Sequence, residues 1–402
     1  MKKKLFLLVV STLLSVLLGE FFLRVFQPFG FRLKGNKIIL PTNSRTVYEI
    51  ANAKKLDRFV SNTRNSLGFR GEDPPHNFLR YLSIVTIGGS TTECIALTDE
   101  ETWTEVLGKL LEQNLENVWV NNAGLDGHST FGHTILMKDY IVPIRPKVAM
   151  FLVGINDAYL RSANKYDKEV GYTTRAIRTV KDKLEISAEK SEVASLILNM
   201  YRYHLAQKAG LAVGTRIDFS SLQQENVSML LDKEVDYRIL GTSATSQEKS
   251  DQVLADHKEY LDEYASRLRE IIEIARRSGI EPIFVTQPAI YGDAIDDVTG
   301  IDLSTIVLAN GNGEWGDGMT GKLKWEILEL YNQTTREVGK SEGVFVVDLA
   351  IEMPKSSRYF YDYVHFTPEG AEKVAKILYK NLCPHFAHEY PDDIIQDCTS
   401  VE

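Results

Sequence analysis

The chain has 402 residues, 44% hydrophobic and 25% charged, a globular balance with enough length for one large domain with insertions or for two domains. Its formal net charge of −9 argues against a nucleic-acid surface. Its 3 cysteines, Cys94, Cys383 and Cys398, are too few for a disulfide-dense scaffold and have no zinc-ligand spacing.

The amino terminus departs from the soluble pattern. Lys2, Lys3 and Lys4 precede an uncharged run over 5–19. That run alone is short for a membrane span, which needs roughly 17–25 residues, but the apolar character resumes through Phe26. Glu20 and Arg24 stand four apart, a spacing that allows pairing at the far interface. Ser15, Leu17 and Gly19 make a poor cleavage site, so 1–26 reads as an uncleaved signal anchor in the lipid bilayer. The lysines place the amino terminus in the cytoplasm, and the rest of the chain outside it, on the periplasmic or outer face of the cell membrane.

Residues 27–80 carry few periodic signals and read as a stalk and lead-in. Within them, Asn65-Ser66-Leu67-Gly68-Phe69-Arg70-Gly71 is a turn-rich, structured loop, and Asp73-Pro74-Pro75 is a break. From Tyr81 strands and helices alternate. The β-branched run 84–87 is a buried strand that runs into Gly88-Gly89-Ser90. Thr98-Asp99-Glu100-Glu101 caps a helix whose apolar face is Trp103, Val106, Leu107, Leu110 and Leu111. A second strand, 118–121, ends in Ala123-Gly124, and 130–140 is a helix. The third strand, 148–153, is too apolar to be half exposed and is therefore central.

The alternation then breaks. Residues 158–251 contain no convincing strand and read as a helical insertion, either a packing elaboration or a substrate lid. A long helix over 253–277 restores the rhythm, followed by a fourth strand over 282–286 and a Gly-rich loop over 300–321. Trp315 in that loop is either a loop anchor or a sugar-stacking residue. A helix over 322–340, a fifth strand over 344–348 and a last helix capped by Thr367 with Pro368 in its first turn complete the core. Residues 381–402 read as a tail. This order predicts an α/β fold: a three-layer α/β/α sandwich over 81–380 with a central parallel sheet of about five strands.

Four positions fall at strand ends or helix starts on one edge of such a sheet: Ser90, Gly124, Asn156 and His365. Together these residue types suit acyl transfer. A serine hydroxyl needs a base, and histidine titrates in the right range. Asp362 is placed to orient His365, and the amides of Ser90 and Gly124 with the Asn156 side chain are suitable oxyanion donors.

The set resembles the SGNH hydrolases, the group that includes the GDSL esterases and lipases. The matching blocks are Gly-Gly-Ser90-Thr, Asn-Ala-Gly124, Gly-Ile-Asn156-Asp and Asp362-x-x-His365. The resemblance implies a flavodoxin-like fold, Ser90 as nucleophile, His365 as base and Asp362 as its orienter. It implies Ser90, Gly124 and Asn156 as the oxyanion hole, with no metal or cofactor. Gly89 departs from the aspartate of the GDSL name, and Cys94 stands where a glycine-like residue is ordinary. Asp157 reads as a supporting residue behind the site, and His128 and His133 as pocket rim or core. Cys383-Pro384-His385 with His388 reads as a surface tail in preference to a metal site. Whether Cys383 and Cys398 pair is open.

The expected activity is hydrolysis of a small acyl ester, an acetyl group on a cell-envelope glycan being the leading substrate. An O-acyltransferase with the same site is the alternative. A non-catalytic envelope assembly or glycan-binding protein is a third reading, against which an intact Ser90, Asp362 and His365 weigh.

Overall fold

The structure is a computed structural model that describes residues 2–26, 33–35, 37–50, 54–159, 180–208, 227–229, 245–307 and 319–398. It divides into two compact units. The described residues of the smaller lie within 1–40 and 171–225, and those of the larger within 41–170 and 226–402.

The smaller unit begins with a helix, Lys2–Phe26, that has no buried residue and a mean hydropathy of 2.3 over its most apolar window. At 1.5 Å per residue it is about 37 Å long, enough to cross a hydrocarbon core of roughly 30 Å. Glu20 and Arg24 do pair, at 2.8 Å. Glu20 also accepts from Ser191 Oγ and from the amides of Glu192 and Val193, capping the helix Glu192–Lys208. The helix Val180–Lys190 packs beside it. A short hairpin, Leu33–Lys34 with Lys37–Ile38, joins them through Asn199 Nδ2 to the Leu33 carbonyl (2.9 Å) and a Lys34–Glu192 ion pair. The described helices of the expected insertion thus pack with the amino-terminal helix.

In the larger unit, β1 (Ser44–Ile50) and β2 (Phe59–Arg64) form an antiparallel hairpin. The core then follows with β3 (Leu82–Gly88), α1 (Ser90–Glu93), α2 (Trp103–Leu111), β4 (Val118–Asn122), α3 (Thr130–Leu136), β5 (Val148–Val153) and α4 (Ile155–Tyr159). After β6 (Val227–Met229), which pairs with β1 in parallel, come α5 (Gln247–Arg277), β7 (Glu281–Thr286), α6 (Gly321–Glu342), β8 (Phe345–Val347) and α7 (Pro368–Glu389). The main sheet has the order β8-β7-β5-β3-β4, all parallel. Helices α2 and α7 pack together, as do α3, α5 and α6, giving the expected three layers. Every residue of β3 and β5 is buried, because helices cover both faces of these central strands. From β3 the chain goes first to β4 on one side and then to β5 on the other. This switch opens a crevice at the carboxyl end of β3, where Ser90 lies.

Four expectations need correction. Residues 27–80 are not merely a lead-in, because β1 and β2 lie there. Their sequences, Ser-Arg-Thr-Val-Tyr-Glu-Ile and Phe-Val-Ser-Asn-Thr-Arg, are polar enough to hide a hairpin that buries only Ile50, Val60 and Asn62. A strand, β6, lies inside 158–251, and α5 begins at Gln247, capped by Ser246. Thr98-Asp99-Glu100-Glu101 does not cap α2. Thr98 Oγ1 accepts from Ser61 N (3.0 Å) and Asp99 from Thr63 N (3.0 Å), so both serve β2, while Thr102 caps the helix. Finally, α7 runs on past 380 to Glu389 with Pro384 inside it. Cys383 and Cys398 are joined, tying the tail to α7. The tail also bonds to the loop before β4, with Ile395 N to the Asn114 carbonyl at 2.8 Å. Trp315 lies outside the described residues.

Candidate active site

Ser90 is the first residue of α1, a single turn that follows β3 directly. A Cβ at Gly89 would fall within 3.0 Å of Asn156 Nδ2, so a side chain there would have to displace that amide. Ser90 Oγ lies 2.7 Å from His365 Nε2, across a sequence separation of 275. His365 Nδ1 lies 2.6 Å from Asp362 Oδ2. Asp362 Oδ1 accepts from the amides of Val364 (2.9 Å) and His365 (2.8 Å), a local turn that fixes the carboxylate toward the ring three residues on. Tyr361 stacks on the imidazole, with centroids 5.6 Å apart and planes at 13°.

Charge settles the tautomer. An ionised carboxylate only accepts, so Nδ1 carries the proton and Nε2 is left to accept from Ser90. Burial pulls the pKa of His365 down, but the Asp362 charge and hydrogen bond, helped by Asp126, raise it above 6.5. Burial pushes Asp362 up, and His365 with the two backbone amides more than offsets this, holding it below 3.8. The His365 side chain is 27% exposed, so the pair is open to a substrate. The cleft beside Ser90 is lined by Cys94, Ala96, Leu97, Tyr361 and Phe366 and encloses about 180 Å³, open mouth included.

The expected oxyanion donors differ in the partners they already hold. Asn156 stands at the start of α4 and gives an amide hydrogen to the His128 carbonyl (2.8 Å). Gly124 packs so closely on α1 that a Cβ would fall within 3.0 Å of Glu93 N. Its own N–H donates to Asn122 Oδ1 at 2.9 Å, so a substrate oxygen would have to share or take over that hydrogen.

Asp157, 8% exposed, accepts from Thr130 N (3.1 Å), Thr130 Oγ1 (2.6 Å) and Arg267 (3.2 Å). Burial raises its pKa, with Arg267 and Thr130 pulling the other way. It pins the start of α3, two residues beyond the His128 carbonyl that holds Asn156. His133 is buried in the core, and burial with the neighbouring His128 pushes its pKa down to about 3. Cys94 adopts φ 50°, the left-handed region that favours glycine, and burial pushes its thiol up to about 12, so it is no rival nucleophile. Among the described residues no cluster of three or more His, Cys, Asp or Glu could hold a metal. His385 is not on a surface tail: it lies within α7, bonded to Glu281 Oε1 (2.6 Å) and stacked on Phe345.

Sequence reasoning missed the supports of the turn that Ser90 begins. Thr91 Oγ1 donates to the buried Gln287 (3.0 Å), and Trp103 Nε1 donates to the Thr91 carbonyl (3.0 Å). Asn122 Nδ2 donates to the Thr92 carbonyl (2.6 Å). Only Asn122, beside the Ala-Gly block at a strand end, carried any sequence signal.

No protein-family model matches the chain, and no curated protein sequence does. Solved structures do. A protein of the G-D-S-L lipolytic family from Desulfitobacterium hafniense is 12% identical, with 74% of this chain and 97% of that one covered and a TM-score of 0.36. The acetylxylan esterase Axe2 from Geobacillus stearothermophilus is 12% identical, with 74% and 93% covered and a TM-score of 0.38. The α/β hydrolase LAE5 from the metagenome of Lake Arreo is 12% identical, with 75% and 96% covered and a TM-score of 0.37. These are proteins that the chain is similar to, and the chemistry open to it follows from its own residues.

Proposed function

We propose that the chain is a membrane-anchored, extracytoplasmic serine ester hydrolase of the SGNH type, acting on small acyl esters, acetyl groups on cell-envelope glycans foremost. The observation that carries this reading is the unbroken contact from Ser90 Oγ through His365 to Asp362. As Ser90 attacks the ester carbonyl, its proton passes to His365 Nε2, and Asp362 stabilises the imidazolium. Negative charge forms on the carbonyl oxygen, where the Ser90 amide, the Asn156 side chain and the Gly124 amide are the candidate donors. His365 then protonates the leaving alcohol, and water repeats the cycle to release the acid. Asp157 acts indirectly, through the α3 start and the His128 carbonyl. The apolar side chains that line the cleft beside Ser90 support an acyl group there. The apolar helix Lys2–Phe26, which opens on three lysines, supports an anchor with its amino terminus in the cytoplasm. The Cys383–Cys398 disulfide supports an oxidising compartment, where envelope glycans are found.

The test is labelling of the full chain with a serine-directed phosphonate, alongside turnover of acyl esters of increasing length and of acetylated glycans. Wild type is labelled, Ser90→Ala is not, and acetyl esters turn over fastest. Labelling that survives Ser90→Ala moves the nucleophile elsewhere. Acyl product appearing on an added glycan, in place of free acid, assigns transferase activity.

A further inference from the structure

The loop Asn65-Ser66-Leu67-Gly68-Phe69-Arg70-Gly71 supplies a side chain that the chemistry above does not use. Arg70 is 2% exposed, and its guanidinium lies at the carboxyl end of α1, the turn that Ser90 begins. Nη1 donates to the carbonyls of Glu93 (2.7 Å) and Cys94 (2.8 Å), and Nη2 to that of Leu97 (2.9 Å). Asp99 Oδ1 holds the other side of the fork, 2.9 Å from Nε and 2.7 Å from Nη2. The Arg70 main chain is pinned in turn. Its N–H donates to the Asn122 carbonyl and its carbonyl accepts from Asn122 N, each at 2.9 Å.

Asn122 closes the clamp, because its side chain takes the Thr92 carbonyl. The carbonyls of Thr92, Glu93 and Cys94 are therefore held by two side chains whose main chains bond to each other. Those of Thr92 and Glu93 are carbonyls that a one-turn helix leaves without donors of its own, while that of Cys94 also accepts from Leu97 N (2.9 Å). Such a turn has no stability alone, so its geometry is set from outside. The residue that ends it, Cys94, is left-handed at a non-glycine position, which also needs external support.

We infer that Arg70 is a positioning residue for the nucleophile. By fixing the carboxyl end of α1 it sets where Ser90 Oγ stands relative to His365 Nε2, and this rests on the ester-hydrolase reading of that contact. A planar guanidinium presents its donors in fixed directions and serves three carbonyls and a carboxylate at once. A lysine ammonium on a flexible stem keeps the charge and loses that geometry. A positive charge also suits a helix carboxyl end. An arginine that only held the fold together would lower stability and leave the kinetics of the folded protein alone.

The experiment compares wild type and Arg70→Lys as full chains in detergent, with thermal unfolding measured for both. The readouts are kcat and KM on p-nitrophenyl acetate and the rate of phosphonate labelling at Ser90. In folded Arg70→Lys, kcat and the labelling rate fall together by roughly 10- to 100-fold, the scale that about 1 Å of misplacement costs. KM changes little, because ground-state binding is not what is lost. The acid limb of the pH profile stays where it is, since Asp362 still holds His365. Added guanidinium restores part of the rate to Arg70→Ala, and methylammonium does not. Wild-type kcat and labelling in Arg70→Lys would overturn the inference. Should Arg70→Lys fail to fold, Asp99→Asn decides, since it keeps the three carbonyl bonds and weakens the carboxylate side of the fork, with Thr63→Pro, which removes the Thr63 N–H that Asp99 also accepts, as the control for the β2 contact. A drop in kcat at constant KM supports the inference, and unchanged kcat overturns it. A wild-type chain that takes no label refutes the hydrolase reading itself, a result distinct from labelled wild type with an indifferent Arg70.

Discussion

Replacing Asp362 with asparagine removes a charge while keeping a side chain of the same shape. The introduced amide would keep its oxygen on the N–H groups of Val364 and His365, which hold Oδ1 at 2.9 and 2.8 Å. That leaves its NH₂ facing His365 Nδ1, where a 2.6 Å contact now requires an acceptor on the ring. Nδ1 becomes the acceptor, Nε2 takes the hydrogen, and the nitrogen facing Ser90 can no longer receive a proton. Among the described residues no backbone carbonyl shares Nδ1, so nothing else restores the tautomer. The loss should approach the ~10⁴ in kcat that this error costs in a serine triad, or about 5 kcal/mol at 1.36 per tenfold. His365→Ala should be at least as damaging. The pH profile gives a second readout. In wild type, kcat/KM falls as pH drops through the raised pKa of His365, because the base must be neutral. Without Asp362 that limb moves to lower pH, so the deficit is largest at high pH and narrows on acidification. Stability runs differently. His365, raised, contributes stability that is full below 6.5 and lost as pH rises through its folded value. Asp362, depressed, contributes stability present above 3.8 and lost as pH falls through its folded value. The two describe one interaction, so Asp362→Asn should destabilise most between those limits, read by thermal unfolding across pH. An Asp362→Asn protein with near wild-type turnover and an unmoved acid limb would refute the reasoning.

Three further outcomes follow from the same structure. Asn156→Ala should lower kcat by ~10²–10³ with little change in KM, and still take phosphonate label at a reduced rate; wild-type turnover would remove Asn156 from the oxyanion hole. Reducing the Cys383–Cys398 bridge, which closes a separation of 15 residues, should cost about 3 kcal/mol in a denaturant titration. Free thiols in peptides from unreduced protein would show that the bridge is absent. A reporter fused after Glu402 should be active outside the cytoplasm and stay with membranes through a carbonate wash, whereas release as a shortened soluble chain would mean that the amino-terminal helix is cleaved.

The core sheet was legible because its strands are apolar runs between helical periods, and because Ser90, Gly124, Asn156 and His365 each punctuate an element end. What escaped depends on partners far off in sequence. β1 and β2 are polar strands that stay ordered by pairing and by Thr98 and Asp99, residues whose spacing imitates a helix cap. Gly124 marks a close approach of two backbones, and the occupation of its N–H by Asn122 is a matter of rotamer and not of sequence. Arg70 sits in a segment with no periodicity, and its work lies in carbonyls 23 to 27 positions away. The Cys383–Cys398 bridge could not be derived from spacing, because α7 passes through Pro384, where a sequence reading stops the helix.

The 275-residue separation between Ser90 and His365 has a temporal meaning. Ser90 precedes strands β4 to β8 in the chain and His365 follows them, so their contact exists only once the sheet between them has formed. If Ser90 is the nucleophile, phosphonate reactivity during refolding should report that assembly, and it should not precede it.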